Sequence, residues 1–395
     1  MKKEMLMGHD TPYLPEEITT DILKRLPVKS LIRFYCVSKQ WKNLIRSPSF
    51  IANHLHHSTQ NRPSLLLCKQ RKTGEPLHLR LMDCEMQVQE IPNPPLISSL
   101  FGVMIIGSCN GLLCGVINEY DIPWIVLRSS LLLWNPATRE IKVLPKTRTS
   151  EIPNWDCNGF GFSAIVNDYK IVQTYNAGNQ FIRAVEVFSL KTGSWKEIEL
   201  GPLEGAGFIT GRCVSANGYI FWSGSLFESL KHENDSFIVS FDIAMEVFTL
   251  IPLPPLPNIR SFELTVYENK VAILTLSKIG GYPNYFYFLI DLWVLEEGVG
   301  SSTNSWSWTK KFSSNPCPST LAFPGIIWRN EIVIGSFGKH RLRNTSVGKY
   351  EIEQENLGQY LINIITNKGR MIAIPGCRFG NVYNHVESLL SIGNI

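Results

Sequence analysis

Three histidines near the start of the chain are the first residues whose type and spacing could do chemistry. His54, His56 and His57 stand close together, and imidazole is a common protein ligand for transition metals. No cysteine or carboxylate follows them at the spacing that a metal site needs. The sequence therefore predicts a solvated helix end at this place, with no metal site and no bound cofactor.

Catalytic motifs are absent from the sequence. It contains no GxxxxGK[ST] phosphate loop, no GxSxG nucleophile turn and no HExxH zinc motif. The glycines of Gly159-Phe160-Gly161 are interpreted as turn residues, because no predicted helix follows them. The histidines of the later region stand in unrelated settings, which argues against a copper site. The chain is predicted to be non-catalytic, and the alternative, an enzyme on the β-rich part, would show bound metal or cofactor after purification.

Nine cysteines are present, an odd number, and no CxxC pair occurs among them. This usage indicates reduced, mostly buried thiols, as in proteins of the cytoplasm or nucleus. Cys109 and Cys114 lie on one predicted hairpin, where buried thiols are favoured over a metal pair.

The charge pattern argues against two classes of partner. The formal net charge is +4 with scattered Lys and Arg, so the composition gives no support for nucleic-acid binding. The first ten residues lack the apolar run of a signal peptide. The longest apolar stretch, residues 285–295, is interrupted by Asp291 and is too short to span a bilayer. Neither nucleic acid nor a membrane is expected as a partner.

The stretch 14–27 is predicted to be a helix with more apolar surface than it can hide alone. Leu14, Ile18, Ile22 and Leu26 recur four residues apart and so line one helix face. Pro15 suits the first turn of a helix. We expect another surface to cover this apolar face.

Three further short helices are predicted directly after it. The second covers residues 28–35, the third begins after the cap residue Ser38, and the fourth begins at Ser47-Pro48. The polar residues 56–63 are interpreted as a domain boundary. A helical unit of about 45 residues is marginal as an independent fold, so it must pack on something. The alternative to a separate partner protein is packing on the downstream domain of the same chain.

The order of these residues resembles an F-box. The resemblance is carried by Leu14-Pro15-Glu16-Glu17-Ile18, Leu26-Pro27-Val28-Lys29-Ser30-Leu31 and Cys36-Val37-Ser38-Lys39-Gln40-Trp41. That family docks on the Skp-type adaptor of a cullin-RING ubiquitin ligase, so the resemblance implies an F-box domain over residues 8–57. The adaptor contacts that it implies are Leu14, Pro15, Ile18, Ile22, Leu26, Pro27, Leu31 and Val37. Trp41 is expected to pack inside the box instead.

Beyond residue 63 the sequence has the pattern of strands and turns. A turn containing Asn precedes an apolar strand six times. The asparagines are Asn110, Asn167, Asn217, Asn269, Asn330 and Asn367. Repeats of about 50 residues, in which amphipathic strands follow apolar ones, are typical of propeller blades. The predicted fold is α+β and multi-domain: a small N-terminal helical unit, then an all-β propeller over residues 63–390. It has about six blades, or seven, and strands within residues 77–91 complete the last one. A large irregular β-sandwich is the alternative.

The β-rich region resembles the plant F-box-associated domain, a kelch-like propeller family. The resemblance is carried by Gly107-Ser108-Cys109-Asn110-Gly111-Leu112-Leu113-Cys114, Leu133-Trp134-Asn135-Pro136-Ala137-Thr138-Arg139-Glu140 and Glu387-Ser388-Leu389-Leu390. The family often has Tyr where this chain has His385. It includes the S-locus F-box proteins of pollen, which target stylar ribonucleases, and others that target immune receptors.

Loops at one end of a propeller are the usual place for a partner. Trp and Arg are frequent energetic anchors of interfaces. Trp124, Trp155, Arg341 and Arg343 lie in predicted loops and are therefore candidates for target contacts. Ordinary solvated loops, or aromatic rings packed between blades, are the alternative interpretation of each.

Taken together, the resemblances imply the substrate-recognition subunit of an SCF-type ubiquitin ligase. The F-box would bind the Skp-type adaptor and reach the cullin through it, and the propeller would select an unidentified protein for ubiquitination and proteasomal degradation. The covalent chemistry would belong to the partner enzymes, and this chain would supply proximity. The alternative is a ligase-independent propeller scaffold or ligand-binding protein. The expected location is the cytoplasm, the nucleus or both.

Overall fold

The computed structural model shows a helical unit followed by a six-bladed β-propeller. It describes residues 14–69, 77–98, 103–122, 125–146, 157–177, 181–204, 208–225, 236–255, 259–282, 285–297, 306–318, 321–336, 340–344, 350–354, 358–373 and 379–393. The predicted architecture is confirmed, and of the two blade numbers considered the structure has six.

The helical unit consists of four helices, α1 (Glu16–Leu23), α2 (Val28–Phe34), α3 (Lys39–Arg46) and α4 (Pro48–Asn61). The hydroxyl of Ser38 accepts the backbone N–H of Trp41 at 3.1 Å, and that of Ser47 accepts the N–H of Phe50 at 3.3 Å, so both predicted caps are confirmed. A short helix, α5 (Pro95–Ser98), and a 3-10 turn, Gly201–Leu203, lie between strands. No helix in the described ranges is long and apolar enough to cross a membrane.

The strands follow the helices in antiparallel blades. The first three are β1 (Ser64–Lys69), β2 (Leu79–Met82) and β3 (Val88–Ile91). Blade 1 is formed by β4 (Val103–Cys109), β5 (Leu112–Ile122), β6 (Ile125–Asn135) and β7 (Glu140–Val143). Blade 2 is formed by β8 (Cys157–Ser163), β9 (Asp168–Ala177), β10 (Phe181–Ser189) and β11 (Ser194–Ile198). Blade 3 is formed by β12 (Phe208–Ala216), β13 (Tyr219–Ser225), β14 (Ser236–Asp242) and β15 (Val247–Pro252).

The remaining blades carry two additions. Blade 4 is formed by β16 (Ile259–Tyr267), β17 (Lys270–Tyr282), β18 (Tyr285–Glu297) and β19 (Trp306–Ser313), and the short strand β20 (Cys317–Pro318) also pairs with β18. Blade 5 begins with β21 (Leu321–Trp328) and β22 (Glu331–Ser336). A separate hairpin, β23 (His340–Asn344) with β24 (Tyr350–Gln354), then precedes the two outer strands β25 (Gly358–Asn363) and β26 (Gly369–Ala373).

Blade 6 joins the two ends of the chain. Its innermost strand is β27 (Phe379–His385), which pairs antiparallel with β1, and β2 and β3 follow outward. The predicted closure, in which N-terminal strands complete the last blade, is therefore confirmed. Because the ring closes through strands from both ends, the start and the end of the propeller sequence lie beside the helical unit.

Asparagines form the turns between the first and second strands of most blades. Asn110 and Asn217 have φ of 50°, and the glycines after them have φ of 83° and 84°, as two-residue hairpin turns require. Asn367 also precedes a strand, but it closes the hairpin between β25 and β26, the third and fourth strands of blade 5. Both kinds of turn need a residue with a left-handed backbone, so the local sequence does not distinguish them.

A second turn pattern, not found in the sequence, joins the third and fourth strands in four blades. A side-chain oxygen at the first position accepts backbone N–H groups two or three residues later, and the residue four positions on has φ between 55° and 65°. The pairs are Asn135 with Arg139, Ser189 with Gly193, Asp242 with Glu246, and Asn363 with Asn367. These turns lie at the same end of the propeller as the first–second turns.

Close packing between blades explains two glycines that the sequence left as turn residues. Gly159 and Gly161 lie in the innermost strand β8, which corrects that interpretation. A Cβ atom on Gly159 would come within 2.1 Å of the indole ring of Trp222 in blade 3. Trp222 is buried at 1% exposure, so these glycines allow the neighbouring blades to approach.

Candidate adaptor-binding surface and its junction with the propeller

The outer face of α1 carries apolar side chains that no part of the described chain covers. Leu14 is 56% exposed, and Ile18 and Ile22 are each 48% exposed. Leu23, on the opposite side of the helix, is 2% exposed and packs into the helical unit. The spacing of four residues places Ile18 and Ile22 on one face of α1, and Leu14 lies just before the N-cap residue Pro15, so three apolar side chains at the start of the helical unit face solvent.

The other five predicted contact residues divide into exposed and buried positions. Pro15 and Pro27 are exposed, and Val37, on the turn after α2, is 61% exposed. Leu26 is half-buried against the core of the helical unit, and Leu31 is completely buried in it. Leu31 therefore holds α2 in place and has no surface to offer in this conformation.

The core of the helical unit explains why these residues are inside. Its fully buried members come from all four helices and from the far end of the chain: Leu23, Val28, Leu31, Ile45, Phe50 and Leu389. Trp41 stacks edge-on against Phe34 with ring centroids 5.4 Å apart, as expected of a residue packed inside the unit.

His54 departs from the predicted solvated helix end. It is 1% exposed, and its Nε2 lies 2.9 Å from the backbone oxygen of Leu26. Burial lowers the pKa of His54, and the hydrogen bond to Leu26 partly offsets this effect. The side chain faces inward because α4 continues through the polar residues to Asn61, and it ties α4 to the end of α1.

Residues 386–392, which we call the clasp, join the helical unit to the propeller. The backbone N–H of Val28, the first residue of α2, donates to Oε2 of Glu387 at 3.0 Å. A carboxylate at a helix N-terminus is favourable because it meets unpaired N–H groups and the positive end of the helix dipole. Leu389 lies in the core of the helical unit at 4% exposure. The clasp thus contributes both a helix cap and a core residue to the helical unit.

Asn135 of blade 1 holds the other side of the clasp. Its Nδ2 donates to the backbone oxygens of Ser388 at 3.0 Å and Leu390 at 2.7 Å, while its Oδ1 caps the turn that follows β6. The residue is completely buried. One amide side chain therefore closes a blade turn and fixes the clasp at the same time.

One hydrogen bond and one close approach hold the clasp against blade 1. The backbone N–H of Ile392 donates to Oε2 of Glu140 at 2.6 Å, and Ile392 is buried between blades 1 and 2. Gly111 has φ of 83°, and a Cβ there would lie 2.4 Å from Cβ of Ser388. Glycine is required here both for the turn and for the approach of the clasp.

The three segments that carry the second resemblance therefore meet at one place. Gly111 and Asn135 come from the first two segments, and Ser388 and Leu389 come from the third. The sequence identified all three as characteristic but did not place them together. No short-range pattern could have done so, because their contacts link residues more than 250 positions apart.

Comparison with known families adds to this geometry. The model of the F-box-associated β-propeller domain matches residues 65–385, and the F-box domain model matches residues 12–53. The first match alone covers most of the chain. This chain belongs to the F-box proteins with an F-box-associated propeller. The combination of an F-box and this propeller indicates a substrate-receptor role.

Similar F-box proteins are found in a plant. The F-box protein CPR1 of Arabidopsis thaliana is 26% identical over 339 residues, which cover 78% of this chain and 75% of that protein. The F-box protein At2g21930 of the same species is 28% identical over 307 residues, covering 74% and 71%. The solved structure of YjhT covers 75% of this chain and 91% of its own, with 11% identity and a TM-score of 0.40.

The candidate target-binding residues of this F-box protein are only partly described. Trp124 and Trp155 lie outside the described residues. Arg341 and Arg343 lie on β23, where their backbones pair with Glu353 and Glu351 of β24. This hairpin is inserted between the second and third strands of blade 5. The turns between first and second strands lie at the end of the propeller near the F-box. Because successive antiparallel strands run in opposite directions, connections between second and third strands lie at the opposite end.

His385, directly before the clasp, makes a testable contribution to pH dependence. It is 4% exposed, and burial lowers its pKa to about 4. In the unfolded chain this imidazole takes up a proton near pH 6.5, but in the folded chain it stays neutral until about pH 4. The free energy of unfolding therefore falls as the pH drops from about 6.5 to about 4. We expect His385 to account for a loss of about 3 kcal/mol of unfolding free energy across this pH range. Urea unfolding at several pH values measures it.

Replacement of this histidine should flatten the pH profile. His385→Phe cannot gain a proton, so its unfolding free energy should depend less on pH in that window, whatever its absolute level. His56→Phe, at an exposed position of α4, should retain the slope of the unmodified protein. A profile for His385→Phe that parallels that of the unmodified protein would contradict the expectation. Any slope that remains is assigned in part to buried His54, whose pKa is also lowered.

Proposed function

We propose that this chain is the substrate-recognition subunit of an SCF-type cullin-RING ubiquitin ligase. The F-box docks the Skp-type adaptor and reaches the cullin through it, and the propeller binds a protein for ubiquitination and proteasomal degradation. The observation that carries the proposal is the exposure of Ile18 and Ile22 on α1 and of Leu14 directly before it. Each such side chain contributes roughly 1.5–3 kcal/mol when a partner buries it.

The clasp supports the second half of the proposal. A receptor that works by proximity must hold its target at a fixed distance from the conjugating enzyme, which raises the effective concentration of target lysines. A flexible tether would spread the target over a larger volume. Here the cap on Val28, the buried Leu389 and the bridging Asn135 join the two domains through several independent contacts.

We place the target site at the end of the propeller opposite the F-box. The clasp and the turns at Gly111 and Asn135 occupy the near end. The far end carries the inserted β23–β24 hairpin, which contains Arg341 and Arg343. It also carries the end of β5 at Ile122 and the start of β6 at Ile125, the strands between which Trp124 falls in the sequence. Arg341 and Arg343 stand opposite Glu353 and Glu351 in this hairpin, so it offers both charge signs to a target.

We also propose that the protein acts in the cytoplasm, the nucleus or both. The seven cysteines whose side chains the structure describes are free thiols. Burial raises the pKa of Cys68 to about 12 and that of Cys213 to about 11. Such thiols stay protonated and unreactive, which is in keeping with a reducing compartment.

Adaptor binding and assembly test the proposed function directly. The full-length chain is mixed with a purified Skp-type adaptor and then with cullin and RING subunits, and the complexes are followed by size-exclusion chromatography and calorimetry. We expect one adaptor per chain with submicromolar affinity and incorporation of the cullin. A chain that remains a stable monomer with adaptor at about 10 μM would support a ligase-independent scaffold instead.

A further inference from the structure

A cavity of about 570 Å³, open to solvent, lies along the axis of the propeller. Residues of the innermost strands of all six blades line it: Gly107 of β4, Phe160 of β8, Arg212 of β12, Glu263 of β16, Trp328 of β21 and Tyr383 of β27. Thr59 and Gln60 at the end of α4 stand at one rim. The volume lies within the range of about 300–1,000 Å³ that is usual for small-molecule sites.

Two opposite charges stand on adjacent innermost strands of this cavity. Arg212 donates to Oδ1 of Asn381 and, at 3.4 Å, to the backbone oxygen of Val382, and its guanidinium lies 5.6 Å from the ring centre of Tyr383. These contacts fix the position of the cation. Burial raises the pKa of Glu263, and the charge of Arg212 acts in the opposite direction.

The carboxyl group of Glu263 stands out because its burial is not compensated by a hydrogen bond. No residue in the ranges that the structure describes donates to it. A carboxylate in such a position is costly unless a donor or a cation approaches it. A cationic group entering the cavity would supply both.

Two polar atoms that are buried behind the cavity surface, in residues that line the cavity, lack a partner within the described structure. They are Nδ1 of His385, a residue that is 4% exposed, and Nε1 of Trp328, a residue that is 1% exposed. The remaining wall is mixed: apolar and aromatic residues such as Phe160, Val214 and Leu264 alternate with polar ones, among them a second arginine, Arg329. A wall of this composition suits a ligand with an apolar body and a few polar groups.

We propose that this axial cavity binds a small zwitterion with an apolar body, of the chemical class of an amino acid. Its ammonium group meets Glu263, its carboxylate meets Arg212, and its body packs on the aromatic walls. The two charges on neighbouring strands favour a molecule that carries both signs, since a purely cationic ligand is repelled by Arg212 and a purely anionic one by Glu263. Helix α4 at the rim favours a small molecule over a folded protein.

Three probes that share an indole body but differ in charge test the inference. L-tryptophan carries both charges, tryptamine only the ammonium and indole-3-propionate only the carboxylate. Their affinities for the full-length protein are measured by calorimetry or saturation-transfer NMR. We expect tryptophan to bind about tenfold more tightly than either analogue. Absence of saturable tryptophan binding up to about 5 mM would overturn the proposal.

Variants of Glu263 test whether its carboxylate causes the preference for tryptophan over indole-3-propionate. Glu263→Gln should remove the advantage of tryptophan over indole-3-propionate, and Glu263→Asp should keep part of it. Glu85→Gln, on the exposed turn between β2 and β3, should leave all three affinities unchanged. Thermal unfolding confirms that each variant is folded. Equal discrimination in Glu263→Gln and the unmodified protein would refute the role of Glu263, and adaptor binding is unaffected by either result.

Discussion

Replacement of Leu14, Ile18 and Ile22 together by serine should abolish adaptor binding while the protein stays folded. The three side chains are about half exposed, so the folded chain loses little when they become polar. If the adaptor buries all three, their loss should cost about 4–5 kcal/mol or more, which is at least about three orders of magnitude in affinity. Calorimetry with the purified adaptor measures the change, and thermal unfolding checks the fold.

A matched variant separates this effect from a general loss of apolar surface. Ile165, Met245 and Ile365 are exposed on propeller turns at 86%, 70% and 75%, and their joint replacement by serine should leave adaptor affinity unchanged. Leu26 is kept in both variants because it packs on the core of the F-box. Unaltered adaptor binding by the α1 variant would remove the proposed docking surface.

Asn135→Asp should destabilise the protein strongly. The substitution keeps the oxygen that caps the blade turn but replaces the Nδ2 donor by a second oxygen facing the backbone oxygens of Ser388 and Leu390. The position is completely buried, so the new charge can be neither solvated nor paired. We expect a loss of about 3–5 kcal/mol of unfolding free energy in urea titrations.

Asn363→Asp is the control for this prediction. Oδ1 of Asn363 caps the equivalent turn of blade 5 by accepting the N–H groups of Ile365 and Thr366, and Asp242 does the same in blade 3. Asn363→Asp should therefore lower the free energy of unfolding by less than about 1 kcal/mol. Similar losses in the two variants would mean that the clasp contributes little beyond the turn itself.

Local features of this protein were predictable because they depend on neighbours within a few residues. The caps Ser38 and Ser47 act on N–H groups three positions away. The asparagine turns reflect the backbone preference of single residues. The same locality explains why the sequence could not assign Asn367 to a position within its blade, because the backbone preference is identical in either type of hairpin.

The side of a helix that is exposed was harder to predict than the helix itself. The pattern placed both Ile22 and Leu31 among apolar positions available to a partner, yet one is 48% exposed and the other is completely buried. Periodicity identifies an apolar face but does not say what covers it. That depends on how α2, α3, α4 and the clasp pack together.

The sequence by itself determined the order of the domains, the apolar spacing of α1 and the repeated strand pattern of the propeller. Only the tertiary structure decided how the domains are joined and what lines the axis. Arg212 and Glu263 line one cavity because blades 3 and 4 both turn their innermost strands to the axis. The bond from Val28 to Glu387 spans 359 positions and that from Asn135 to Ser388 spans 253. Contacts of this kind arise from closure of the ring through β27 and β1, and short-range sequence patterns carry no trace of them.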